Sequence, residues 1–130
     1  MQARDIMQRE VFTVRDDQPV GVLIDLLVQE HIHGCPVVDA TGDLVGVVTQ
    51  QDVFFSEVSR RDGPPANMKV RDLMTSPAVS AEEETEIIGL GRMMQRLRIH
   101  RIPIVNDGKV TGIVSSLDLV GWLIENAERS

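Results

Sequence analysis

The amino-acid sequence predicts an α+β fold of the α/β type: two β-α-β-β-α repeats packed sheet-to-sheet about a pseudo-two-fold axis. The first observation behind this is a duplication. Arg4-Asp5-Ile6-Met7 returns as Arg71-Asp72-Leu73-Met74, and His33-Gly34-Cys35-Pro36-Val37-Val38 returns as His100-Arg101-Ile102-Pro103-Ile104-Val105, both 67 positions on. After Thr41-Gly42 the offset drops to 66, and Gly46-Val47-Val48-Thr49-Gln50-Gln51-Asp52 matches Gly112-Ile113-Val114-Ser115-Ser116-Leu117-Asp118. The second observation is that apolar periodicities follow the same order in both copies. The third is size: a half with three short strands and two helices is too small to close a core alone.

In the first copy Val11, Phe12, Thr13 and Val14 form a short strand candidate, followed by Asp16-Asp17-Gln18-Pro19. Acids and proline suit a helix start, where free N–H groups and the dipole favour negative charge. Val20, Leu23, Ile24, Leu27 and Val28 then fall on one helical face. Residues 35–38 and 44–49 are β-branched runs around Asp39-Ala40-Thr41-Gly42-Asp43, which reads as a hairpin. Val53, Phe54 and Val58 mark a second helix. In the second copy Glu82-Glu83-Glu84 precede a helix whose buried face runs through Ile87, Leu90, Met94 and Leu97. The acid run reads as a helix-start device rather than a metal site. Asp107-Gly108 is a two-residue hairpin turn between the next two strands. Leu119, Val120, Leu123 and Ile124 supply the last apolar face. Met93 and Met94 read as core filling. Ser59 to Asn67, polar and carrying Gly63-Pro64-Pro65, reads as a linker. The expected division is repeat 1 at 1–58, a linker at 59–69 and repeat 2 at 70–130, forming one cooperative module.

Composition excludes several functions. At 130 residues the chain fits one compact domain, and its 42% hydrophobic share is ordinary for a soluble protein. No apolar run approaches the roughly 20 residues of a membrane span, and the N-terminus has no apolar stretch of signal-peptide type. The single cysteine, Cys35, sits in an apolar run and reads as a buried structural thiol. The cytoplasm is the expected location. A net charge of −7 argues against DNA, and three phenylalanines with one tryptophan offer little for base stacking. The charge is uneven: residues 1–67 carry 11 acids and 5 bases, residues 68–130 carry 9 and 8. Arg92, Arg96, Arg98, Arg101 and Lys109 hold much of the second copy's positive charge. Arg92 and Arg96 read as a solvated helix face, whereas Arg101 lies at a strand entrance beside the repeated His-x-x-Pro.

The repeated Gly-x-x-Thr/Ser-x-x-Asp element ends a strand and opens a helix. Its hydroxyl can cap the helix, the free amides there attract phosphate, and an aspartate in the first turn can accept both hydroxyls of a ribose. Caps at Thr49 and Ser115, with Asp52 and Asp118 serving the dipole, are the plainer explanation. Two copies, each with an upstream His-x-x-Pro, favour ligand binding. His31-Ile32-His33 could suggest a metal, but no recognisable ligand set is completed around the pair, and no metal site is expected. No catalytic carboxylate pair, activated nucleophile or Walker-type loop is visible, so a non-enzyme is expected.

These residues carry a resemblance. From about Arg4 to Ile124 the chain resembles a tandem pair of cystathionine beta-synthase (CBS) domains, a Bateman module, through Val70-Arg71-Asp72-Leu73-Met74, Ile99-His100-Arg101-Ile102-Pro103-Ile104-Val105 and the two Gly-x-x-Thr/Ser-x-x-Asp elements. The resemblance implies two clefts that bind adenosine-containing ligands. One would take its ribose contact from Asp52, backbone and hydroxyl contacts from Val47 to Thr49, and base contacts near Val79 and Ser80, with His100 and Arg101 facing the phosphates. The other would use Asp118, Ile113, Ser115, Thr13 and His33. There Gly34 replaces arginine, which removes the strongest phosphate donor. The Asp52/Arg101 cleft is therefore expected to bind phosphorylated adenosine better.

The expected function is a regulatory module with no required cofactor. Its effector would be an adenosyl ligand: AMP, ADP, ATP, NAD or S-adenosylmethionine. Binding would select one arrangement of the halves, and with no effector domain attached the signal would pass to an effector protein on another chain. The resemblance also implies a homodimer, head-to-head or head-to-tail, with helices at the interface. The competing reading is an oligomerisation module whose clefts are vestigial.

Overall fold

The computed structural model describes residues 1–58 and 67–129; side chains at 57, 58, 128 and 129 fall outside that description, as do residues 59–66 of the expected linker. The chain forms α1 (Ala3–Ile6), β1 (Val14–Arg15), α2 (Val20–Gln29), β2 (Gly34–Val38), β3 (Leu44–Thr49) and α3 (Gln50–Val58). A 3-10 turn (Val70–Asp72) follows, then β4 (Ala81–Glu82), α4 (Ile87–Leu97), β5 (Arg101–Asn106), β6 (Lys109–Ser115) and α5 (Ser116–Arg129). The strands make two three-stranded sheets, β1-β2-β3 and β4-β5-β6. In each, the first pair is parallel and the second antiparallel. A helix connects each parallel pair, as parallel pairing requires. The hairpin turn at Asp107 (φ 51°) and Gly108 (φ 81°) has both residues left-handed, the geometry that suits a tight two-residue connection. In the other sheet Asp39 Oδ1 organises the turn, accepting from the amides of Thr41 (2.8 Å) and Asp43 (3.1 Å) and from the Thr41 hydroxyl.

The chain divides into two compact units, and they are not the two sequence copies. One unit is Phe12–Ala78; the other joins Met1–Val11 to Val79–Ser130. The Arg-Asp-Ile/Leu-Met segment that opens each copy packs on the body of the other. Ala3 N–H donates to Thr85 C=O (2.8 Å), Arg4 N–H to Glu83 C=O (3.0 Å), and Ile87 N–H to Met1 C=O (3.1 Å). In the other unit Val70 N–H donates to Gln18 C=O (2.9 Å), Arg71 N–H to Asp16 C=O (3.0 Å), and Val20 N–H to Met68 C=O (3.1 Å). Each bond of one trio is the other trio shifted by 67 positions at both ends. A second clamp lies further along. Gln8 exchanges both backbone bonds with Ile113 (2.9 Å each), and Thr75 with Val47 (2.9 and 3.0 Å). The glycines of β3 and β6 admit this approach. A Cβ at Gly112 would meet Met7 Sδ at 2.5 Å, and one at Gly46 would meet Met74 Sδ at 2.7 Å.

Each unit has its own core, built from equivalent positions. Val70, Val14, Leu23, Leu27, Cys35, Val37 and Val48 form one. Ala3, Ala81, Leu90, Met94, Ile102, Ile104 and Val114 form the other, with Met7 added. The exchanged segments thus supply core residues as well as backbone bonds.

Four sequence expectations are corrected. The first strand begins at Val14, not Val11, because Val11 and Phe12 cross from one unit to the other and have no strand to pair with. The acid runs do not enter the first helical turns, which begin after Pro19 and Glu86; their carbonyls hold the exchanged segments instead. Val28 and Leu97, expected inside, are exposed at the ends of α2 and α4. Finally, α5 turns Leu119, Trp122 and Asn126 inward at helical spacing, leaving Val120, Leu123 and Ile124 exposed. Among the described residues no helix is long and apolar enough to cross a membrane.

Candidate functional site

The two strand-to-helix corners, β3 into α3 and β6 into α5, are built alike. At the first, Asp52 Oδ2 accepts from the Thr49 amide (2.8 Å) and hydroxyl (3.1 Å), and the Asp52 amide donates to Thr49 Oγ1 (3.3 Å). At the second, Asp118 Oδ2 accepts from the Ser115 amide (2.8 Å), and the Asp118 amide donates to Ser115 Oγ (3.2 Å). Each is a reciprocal cap in which hydroxyl and carboxylate satisfy one another's backbone amide. The capping role is therefore real in both copies. It also fixes each carboxylate, half-buried, in a single orientation.

The corners differ at the other carboxylate oxygen. Gln8 Nε2 donates to Asp118 Oδ1 at 3.3 Å. The residue matched to Gln8 is Thr75, too short to reach in the same way, and Asp52 Oδ1 takes no hydrogen bond among the described residues. Sequence reading missed Gln8. Aligning the clamp residues, Gln8 with Thr75, is the signal that would have found it.

The histidines act here through their backbones. His33 C=O accepts from the Gln50 amide (2.7 Å) and His100 C=O from the Ser116 amide (2.8 Å), while both rings are exposed. Two of the first three amides of each helix are thus engaged, which narrows the phosphate role expected of the free helix start. Val47 and Ile113 also offer less backbone than expected, since Thr75 and Gln8 occupy their amides and carbonyls.

The remaining expected residues divide between the units. Thr13, exposed, precedes β1 and shares a unit with Val47, Thr49, Asp52 and His33. Val79 and Ser80 hold the matching place before β4, in the unit of His100, Arg101, Ile113, Ser115 and Asp118. Arg101 pairs with Ser115 as Gly34 pairs with Thr49. Arg101 is exposed and has no ion pair among the described residues. At Gly34 a Cβ would stand 2.6 Å from the Val48 carbonyl oxygen and 3.1 Å from Thr49 Cα, so the backbone of β3 occupies the space a side chain there would need. Burial raises the Cys35 thiol from 9.0 to about 11, which keeps it protonated and unreactive at neutral pH. No cluster of three or more metal-ligating side chains occurs among the described residues.

The profile of the CBS domain matches residues 3–58 and again 70–125. An inosine-5'-monophosphate dehydrogenase of Methanocaldococcus jannaschii is 34% identical over 119 residues, 91% of this chain but only 23% of that enzyme. Among solved structures, CBSX2 in complex with AMP is similar with a TM-score of 0.82 and 26% identity, covering 97% of this chain and 98% of that one. The CBS domain of a CBS domain-containing membrane protein from Sphaerobacter thermophilus is similar with a TM-score of 0.77 and 31% identity, covering 93% and 86%.

Proposed function

The chain belongs to the CBS-domain family, and we propose that it is a regulatory module whose Thr49–Asp52 corner binds an adenosine-containing ligand. The observation that carries this is the half-used carboxylate of Asp52: Thr49 holds Oδ2 in place while Oδ1 remains available to a ribose hydroxyl. Asp118 has both oxygens engaged, so its corner binds more weakly. The AMP complex of a chain 26% identical supports the ligand class. The phosphate-facing role of His100 and Arg101, and the base contacts of Val79 and Ser80, are part of the same proposal. So is a homodimer that passes its state to an effector protein, located in the cytoplasm. The ligand acts by its difference in affinity for two conformations; the reading is of binding, not catalysis.

Calorimetry with AMP, ADP, ATP, NAD and S-adenosylmethionine tests it. A hydrogen bond to a charged group contributes about 1.5–3 kcal/mol, so Asp52→Ala should weaken the best ligand about 10- to 100-fold, and Asp118→Ala by far less. Unchanged affinity in Asp52→Ala overturns the assignment. The second reading, an oligomerisation module, is favoured by the exposed apolar face of α5. It predicts a stable dimer whose melting temperature responds to none of the five ligands.

A further inference from the structure

The equivalent helices α2 and α4 carry opposite charge. From Val20 to its C-cap Glu30, α2 bears Asp25 and Glu30 and no cation. From Ile87 to its C-cap Arg98, α4 bears Arg92, Arg96 and Arg98 and no anion. Asp25 and Arg92 are the same position, 67 residues apart. All five charged residues are exposed, and none of their side chains has a hydrogen bond or ion pair among the described residues.

Ordinary helix electrostatics does not explain this. Arg96 and Arg98 suit the negative end of the α4 dipole, but Arg92 lies mid-helix, four residues before Arg96, where like charges repel. Glu30 stands at the end of α2 where an acid is unfavourable. A merely solvated face would mix signs along its length. Each face also exposes apolar side chains: Val22 and Val28 on α2, Ile88 and Leu97 on α4. The helix that follows the last strand of each unit does the same. Phe54 and Phe55 on α3 are exposed, their rings edge-to-face at 6.0 Å, as are Leu117, Val120 and Ile124 on α5.

We propose that two copies of this chain pair through unlike helices, α2 of one copy against α4 of the other, with Asp25 facing the partner's Arg92. This rests on the homodimer of the proposed function and gives it an orientation. Two-fold symmetry makes the contact twice. Pairing like with like would set Asp25 and Glu30 against themselves and three arginines against three more, an arrangement that charge complementarity rejects.

Bismaleimide cross-linking in a Cys35→Val background tests the orientation directly. Chains bearing Asp25→Cys and Arg92→Cys should cross-link when mixed, and neither should do so alone. Efficient linkage of Asp25→Cys to itself, or a wild-type chain that stays monomeric at high concentration, overturns the proposal. Sedimentation gives a second measurement. Asp25→Arg or Arg92→Asp alone should raise the dimer dissociation constant about tenfold or more, the double exchange should restore it, and added salt should weaken the wild-type pair. Single variants that dimerise as tightly as wild type also sink the idea. Circular dichroism confirms that these surface variants fold. Thermal shift with AMP on the same proteins reads the ligand proposal separately: a retained shift with like-helix cross-links defeats the orientation alone, and unlike-helix cross-links without any shift defeat the ligand alone.

Discussion

The unit of Phe12–Ala78 and the unit of Met1–Val11 with Val79–Ser130 have the same strand order, the same clamps and cores of matched residues. Where they differ, the differences lie at the candidate site, on exposed helix faces and at one core position. Asp52 keeps a carboxylate oxygen that Asp118 gives to Gln8. Arg101 matches Gly34, where neighbouring backbone leaves no room for a side chain. Asp25 opposes Arg92 in charge, and Cys35 takes the place of Ile102 in the core. Backbone bonds at a constant offset tolerate many side chains, so the scaffold survives duplication. Side-chain chemistry at a few positions then diverges without disturbing it. The comparison teaches that the shared features hold the fold and the unshared ones distinguish the sites.

Three further measurements press on this comparison. The largest effect is expected at the clamps. Met7 is buried and joins its unit's core, whereas Met74 is half-buried and only packs against the other. Met7→Ala should cost about 2–4 kcal/mol of unfolding free energy in urea, and Met74→Ala about half as much. Equal costs would mean that the two clamps are energetically alike. Next is Gly34→Arg, which restores the residue found at the matched position. Because the new Cβ meets backbone rather than a flexible side chain, it should lower stability by about 1–3 kcal/mol. A variant that melts like wild type and gains affinity for ATP would show that the lost arginine was chemical and not steric.

The smallest effect follows from the cysteine. Burial holds the Cys35 thiol at about 11, while the unfolded chain releases its proton near 9.0. The native state therefore loses stability as pH rises above 9.0, with the loss complete near 11. At pH 10 the deficit relative to pH 7.5 should be about 1 kcal/mol, and it should be absent in Cys35→Val when the two proteins are compared by denaturant melts.

Much of the architecture could be read from residues alone. The repeated motifs gave the element order, Asp107-Gly108 marked its hairpin, and the spacing of Leu23 with Leu27 and of Leu90 with Met94 marked the buried helical faces. The exchange of opening segments could not be read, because Arg4-Asp5-Ile6-Met7 and Arg71-Asp72-Leu73-Met74 are so alike that nothing local says which body each will join. The exposed face of α5 is hidden for a related reason: a helix with apolar residues on more than one side does not declare which side its own unit covers. At the corners, spacing identified Thr49, Asp52, Ser115 and Asp118. It did not show that Gln8, 110 residues from Asp118, would reach it.

The exchanged segments also bear on how the protein is made. A ribosome releases the chain N-terminus first, yet Met1–Val11 has its place beside Val79–Ser130, while Phe12–Ala78 is one continuous stretch. The middle of the chain can therefore complete its unit while the first eleven residues, with Ala3 and Met7 still uncovered, wait for a partner not yet synthesised. Closing so long a loop adds only a modest entropic cost, since that cost grows slowly with length. The delay concerns timing more than stability: residues 1–11 are made before the unit that follows them, yet find their place after it.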